Sequence, residues 1–244
     1  MHLVIIPIIA GLHINPPYYF DPRIHSFGNV GIGGRVHANL AYASTKFIDR
    51  LRYRGRDIRR EIYQPYIDDG LDILDMCCGI GISTPAGHIG IDTSVEMLQV
   101  ARRVSEQSIN NNYINDNNDN DNNKKLESNS TEFYCGSNST EFYWGNAEYY
   151  RPKKSIDVVT CMFAFHEMPN YAHVRIIDNA LMIAKKEFVI VDIAPDYKSG
   201  KPPEIMLRGE PYLLNYLDTI QDILHDFEET VYIPGHVHIW RYKK

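Results

Sequence analysis

Cysteine is scarce in this chain of 244 residues. Its four cysteines, Cys77, Cys78, Cys135 and Cys161, contain no CxxC pair. That spacing argues against a disulfide framework or a zinc site, so no metal is expected, and a reducing compartment is the simpler setting. Long apolar runs are also missing. Residues 3–12, LVIIPIIAGL, are too few to span a bilayer, are broken by Pro7 and have no Lys or Arg before them. The expectation is a cytoplasmic protein with no stable membrane anchor, with a signal or organelle-targeting segment left open by that short apolar start. Positive charge is not in excess either. The net charge of -6 gives no global pull toward nucleic acid. Two phosphate-binding motifs are absent. No GK[ST] follows a glycine-rich turn, which excludes a P-loop, and Thr84 stands where the third glycine of G-x-G-x-x-G belongs, which excludes the dinucleotide fingerprint.

What is present is the composition of a soluble α/β fold, 44% hydrophobic and 23% charged. Residues 13–34, rich in Pro, Gly and aromatics, read as an irregular arm. A helical pattern follows from Arg35, with Val36, Leu40, Phe47 and Leu51 near one face, and a second short helix runs from Arg56 until Pro65 ends it. Strands are expected at 71–78, 88–92, 140–146, 156–163 and 187–194, and helices at 94–107, 171–185 and 211–226. This alternation predicts a Rossmann-like, doubly wound, mostly parallel sheet. The end differs, because ETVYIPGHVHIWRY reads as two β runs about a Pro234-Gly235 turn, an antiparallel hairpin that brings the sheet to seven strands. Residues 1–69 are read as an arm and cap, and 70–244 as the core.

One segment breaks the rhythm. Residues 110–123 hold nine Asn and three Asp, too polar to bury a core. Next comes a duplication, SNSTEFYCG at 128–136 and SNSTEFYWG at 137–145. Only one copy fits the third core strand, and the second runs directly into Gly145-Asn146-Ala147-Glu148. Residues from about 108 to 136 are therefore expected to loop out as an insert.

The most informative stretch is LDILDMCCGIGISTPAGHIGID, from Leu71 to Asp92. It reads as a strand, a glycine turn, a stubby helix and a second strand ending in an acid. A strand running into glycines lets backbone approach a ligand, and a carboxylate at the next strand end suits two adjacent hydroxyls. Asp75-x-Cys77-x-Gly79-x-Gly81 resembles the first motif of the class I S-adenosylmethionine-dependent methyltransferases. The resemblance implies S-adenosyl-L-methionine as cofactor. It implies that Cys77, Gly79 and Gly81 cradle the methionine end, with Asp75 holding its amino group directly or through water. Asp92 would hold the ribose. Thr93 and Met97 would pack on adenine, Asn146 and the Ala147 amide would read its edge, and Phe163 would border the site. The terminal hairpin also belongs to that family's topology.

The resemblance places the transferred methyl at the end of the fourth strand, Ala164-Phe165-His166-Glu167-Met168-Pro169. His166 is the candidate base, with Glu167 as its orienter or a second base. Residues 195–212 offer Tyr197, Met206, Arg208 and Tyr212 as a wall. The basic run from Lys46 to Arg60 reads as a solvated helix face. The expected function is methyl transfer to a small-molecule acceptor, at oxygen or carbon before nitrogen, with nucleic acid unlikely as a partner. An RNA or protein methyltransferase and a non-catalytic cofactor-binding or scaffold protein are the alternatives. The acceptor's identity and the oligomeric state are not readable.

Overall fold

The computed structural model describes residues 17–118, 139–198 and 203–244. Six α-helices are described there: α1 (Gly31–Arg52), α2 (Ile58–Asp68), α3 (Val95–Asn118), α4 (Asn170–Ile183), α5 (Pro203–Leu207) and α6 (Leu213–Ile223). Seven strands, β1 (Ile73–Met76), β2 (Ile89–Asp92), β3 (Glu141–Trp144), β4 (Ile156–Met162), β5 (Ala184–Ile193), β6 (Glu228–Ile233) and β7 (Val237–Lys243), form one sheet. Its order is β3-β2-β1-β4-β5-β7-β6. The first five strands run parallel, and β7 is antiparallel to both β5 and β6. At the hairpin tip Gly235 has φ 67 and the His236 amide bonds the Ile233 carbonyl at 2.9 Å, the turn that Pro followed by Gly favours.

The central strands are apolar on both faces because helices cover both. On one face Leu74, Met76, Val159, Cys161, Phe188 and Ile190 pack with Ile176 of α4 and Tyr216 and Ile220 of α6. On the other, Ile73, Val158, Val189 and Val191 pack with Ile58 and Ile62 of α2. Each such side chain contributes about 1.5–3 kcal/mol on burial. A slip of one residue would exchange the two faces, so register, and with it the positions of the strand ends, is strongly fixed.

Four local expectations need correction. No helix forms between β1 and β2: residues 77–88 are a chain of turns, since Gly81, Pro85 and Gly87 leave no uninterrupted helical stretch. α1 begins at Gly31, inside the expected arm, and α2 continues past Pro65 to Asp68. α3 runs through the first part of the Asn tract to Asn118. Extending an existing helix avoids the cost of nucleation, and a polar tract can still close i to i−4 hydrogen bonds. The 195–212 connection contains α5. The second copy of the duplication forms β3, while the first copy lies outside the described residues.

Candidate active site

The carboxyl ends of β1, β2, β4 and β5 open onto a cavity of about 820 Å³, within the range of small-molecule sites. Of the expected cofactor residues, Cys77, Gly79, Asp92, Thr93, Met97, Asn146, Ala147 and Phe163 line it, as do His166 and Glu167. Asp75 and Gly81 do not.

Asp92 is the hub of the near end. Its Oδ2 accepts the Gly79 amide and its Oδ1 accepts the Ser94 amide, both at 2.8 Å. Each oxygen keeps a further lone pair. Burial raises the Asp92 carboxyl to about 6, against the opposing pull of those amides. Gly79 has φ 53, and a side chain built on it would meet no atom within 4 Å, so its backbone is open to a ligand. Ser94 caps α3 by accepting the Met97 amide at 3.1 Å and donates to the Asn29 carbonyl, which fastens the N-terminal turns to the site. Across the cavity, Asn146 Oδ1 accepts the Glu148 amide at 2.8 Å. That bond orients the side chain and leaves the second lone pair of the oxygen.

Asp75 sits beneath the turn and not in it. Fully buried, it accepts the hydroxyls of Ser83 (2.8 Å), Thr84 (2.7 Å) and Thr160 (3.0 Å). Burial raises its carboxyl to about 6, and the three hydroxyls hold it from rising further. It thus ties the helix-free crossover 77–88 to β1 and β4. Gly81 also serves packing: a Cβ there would come within 2.7 Å of the Phe142 ring and 2.9 Å of Ala101.

The far end is a network of charge. Asp192, at the end of β5 and fully buried, accepts the amides of Phe165 (2.7 Å) and Ile193 (2.7 Å) and lies 2.6 Å from His166 Nδ1. Burial pulls the His166 imidazole down, but the Asp192 carboxylate outweighs it and lifts it to about 10. His25 Nε2 lies 2.5 Å from Glu167 Oε1, and His25 Nδ1 lies 3.2 Å from Glu210 Oε1. Burial is again overcome, with the two carboxylates raising His25 to about 9. Burial would raise Glu167, yet His25 brings it down to about 2. One histidine nitrogen and two carboxylate oxygens here fall within 4.8 Å of one another, a spacing metals also use, and the mutual ion pairs account for it. His37, its ring 4.4 Å from that of His25, differs. Its Nδ1 faces two acceptors, Asn29 Oδ1 (3.0 Å) and the Gly28 carbonyl (3.3 Å), so Nδ1 carries the proton and Nε2 presents a lone pair. Burial, followed by the charge on His25, lowers its pKa.

Backbone strain collects at this cavity. His25 (φ 47), Ser26 (φ 64), Cys77 (φ 57) and Phe163 (φ 57) take left-handed conformations and all line it. Each costs about 1–3 kcal/mol. Of the expected wall, Tyr197 and Met206 line the cavity, whereas Arg208 and Tyr212 do not. Of the basic run, Arg52 and Arg59 reach it, Arg59 held by Asp49 at 2.9 Å and stacked over Phe163. Sequence reading missed His25, His37, Glu210 and Asp192. Asp192 carried a signal, as an acid ending the apolar run of β5. His25 and Glu210 sit in or next to turns, where no periodicity marks them, and His37 lies inside α1, in the stretch expected to be arm or helix surface.

No family model matches the sequence, and no curated protein matches it. Among solved structures, magnesium protoporphyrin IX methyltransferase from Synechocystis PCC 6803 with bound S-adenosylmethionine is 14% identical, covering 80% of this chain and 81% of that one, with a TM-score of 0.49. A methyltransferase dependent on the same cofactor from Aquifex aeolicus is 16% identical over 80% and 96% of the two chains, with a TM-score of 0.43. A protein described as a putative RNA methyltransferase from Pyrococcus horikoshii is 12% identical over 77% and 83%, with a TM-score of 0.43. The sheet order of this chain, with an antiparallel β7 between β5 and β6, is the Rossmann-like, mostly parallel seven-stranded arrangement with a terminal hairpin expected from the sequence.

Proposed function

We propose that this chain is an S-adenosylmethionine-dependent methyltransferase acting on a small molecule at oxygen or carbon. The observation that carries the reading is Asp92, whose two carboxylate oxygens are fixed by the Gly79 and Ser94 amides at the cavity edge, each with a lone pair left. Vicinal ribose hydroxyls fit that acceptor pair. Gly79 gives the methionine end open backbone, and Met97 with Asn146 and Ala147 gives the adenine a shelf and an edge. The cofactor supplies a methyl group already activated by its sulfonium, and alignment of the acceptor provides much of the rate.

The residues at the far end divide the remaining work. His166, paired with Asp192, stays protonated at neutral pH and serves as a fixed positive charge. Glu167, paired with His25, stays ionised. An acceptor that must lose a proton gives it to His37 Nε2, the neutral imidazole nitrogen on this wall. A His37→Gln variant is expected to keep cofactor binding and lose the acidic limb of the pH–rate profile, where protonation of the base slows the reaction. For the cofactor itself, S-adenosylhomocysteine is expected to raise the melting temperature of the full chain, and NAD to leave it unchanged. Stabilisation by NAD alone contradicts the reading.

A further inference from the structure

Helix α1 is buried along one side, and the side facing water is apolar. Its buried residues are Gly34, Ala38 and Asp49, with Ala38 packed against Ile80, Met97 and Val100. Opposite them, at helical spacing, run Ile32, Val36, Leu40, Phe47 and Leu51. Ile32 is 83% exposed, Phe47 63% and Leu51 62%. Single exposed aliphatics need no explanation, but a stripe along a helix about 33 Å long does.

Charge says what covers it. The exposed cations of α1 are Arg35, Lys46, Arg50 and Arg52. Its one carboxylate, Asp49, is buried against Arg59. The chain as a whole has a net charge of -6, so positive charge is concentrated on this helix. We propose that the outer face of α1 docks on an anionic lipid surface, with Ile32, Phe47 and Leu51 among the acyl chains and Arg35, Lys46 and Arg50 at the phosphates. This is a reversible, in-plane contact, distinct from a membrane span; no helix among the described residues is long and apolar enough to cross a bilayer. Two copies meeting through α1 would set cation against cation, with no exposed carboxylate on the helix to pair them. Nucleic acid would meet a continuous apolar stripe where phosphates need partners. Leu40, Ser44, Ile48 and Arg52 of the same helix line the cavity, so docking holds its mouth beside the headgroups. The proposal stands whether or not the cavity transfers methyl groups.

Co-sedimentation of the full chain with vesicles tests it. Vesicles of phosphatidylcholine with about 30% phosphatidylglycerol are expected to bind the protein, and to release it as salt is raised to about 0.5 M. Phe47→Ser combined with Leu51→Ser, both exposed positions, is expected to weaken binding at least about tenfold with the melting temperature unchanged. Lys46→Glu combined with Arg50→Glu is expected to abolish the preference for anionic over pure phosphatidylcholine vesicles. The proposal is overturned if the wild-type chain binds neither vesicle, or if the serine variant binds as tightly as wild type. A solution dimer dissociated by Phe47→Ser overturns it as well, by giving the face to a second copy.

Discussion

Asp92 Oδ2, at the end of β2, accepts the amide of Gly79, in the turn after β1, at 2.8 Å. This bond locks two strand ends into one surface, and it sets how the site responds to pH. With its carboxyl raised to about 6 by burial, Asp92 is neutral in acid and charged above that value. Only the charged form accepts on both oxygens. Affinity for S-adenosylhomocysteine is therefore expected to fall as pH drops through about 6, approaching tenfold per unit below it. Asp92→Asn should bind weakly and flatten that dependence in calorimetric titrations at pH 5, 6 and 7.

Cys77 occupies a left-handed conformation, φ 57, the backbone region that favours glycine. A Cβ in that region costs about 1–2 kcal/mol, part of which glycine returns through its freer unfolded state. Cys77→Gly is expected to stabilise the protein by about 0.5–1 kcal/mol in urea denaturation while retaining cofactor binding. A loss of stability would mean that the contacts of the thiol outweigh the strain.

The His166–Asp192 pair makes stability depend on pH in the alkaline range. A histidine raised from 6.5 to about 10 contributes stability that is complete below about 6.5 and is lost as pH rises through 10. His25, raised to about 9 by Glu167 and Glu210, adds in the same direction. Unfolding free energy is expected to decline between pH 7 and 10 by a few kcal/mol. Asp192→Asn should lower stability at pH 7 and shrink that decline. An unchanged slope would show that His166 is not held charged.

The centre of the sheet was legible because β1, β2, β4 and β5 are buried on both faces, and a continuous apolar run of that length has few other uses. The hairpin was legible because Pro234-Gly235 admits few other turns. Asp92 and Asn146 were found as polar residues at strand ends, where ligands meet a parallel sheet. Asp75 was expected to hold the amino group of the methionine end because spacing cannot tell a carboxylate facing a ligand from one facing Ser83, Thr84 and Thr160. The crossover helix failed for a related reason. The strand-to-strand distance it had to cover was visible, but the means of crossing it, hydroxyls anchored on a buried acid, was not. Histidines 25 and 37 reach the site through tertiary closure, which a linear pattern does not encode. On α1 the apolar positions were read correctly as sharing one face, yet that face turns to water, because Gly34 and Ala38 let the opposite side approach α3 closely.

The most direct test is calorimetric titration of S-adenosylhomocysteine into the full chain and into Asp92→Asn at pH 7.5. The account predicts one site per chain, with affinity about 10–100-fold weaker in the variant, the cost of losing charge-assisted bonds to two hydroxyls. No heat of binding to the wild type, or equal affinity for both proteins, would contradict it.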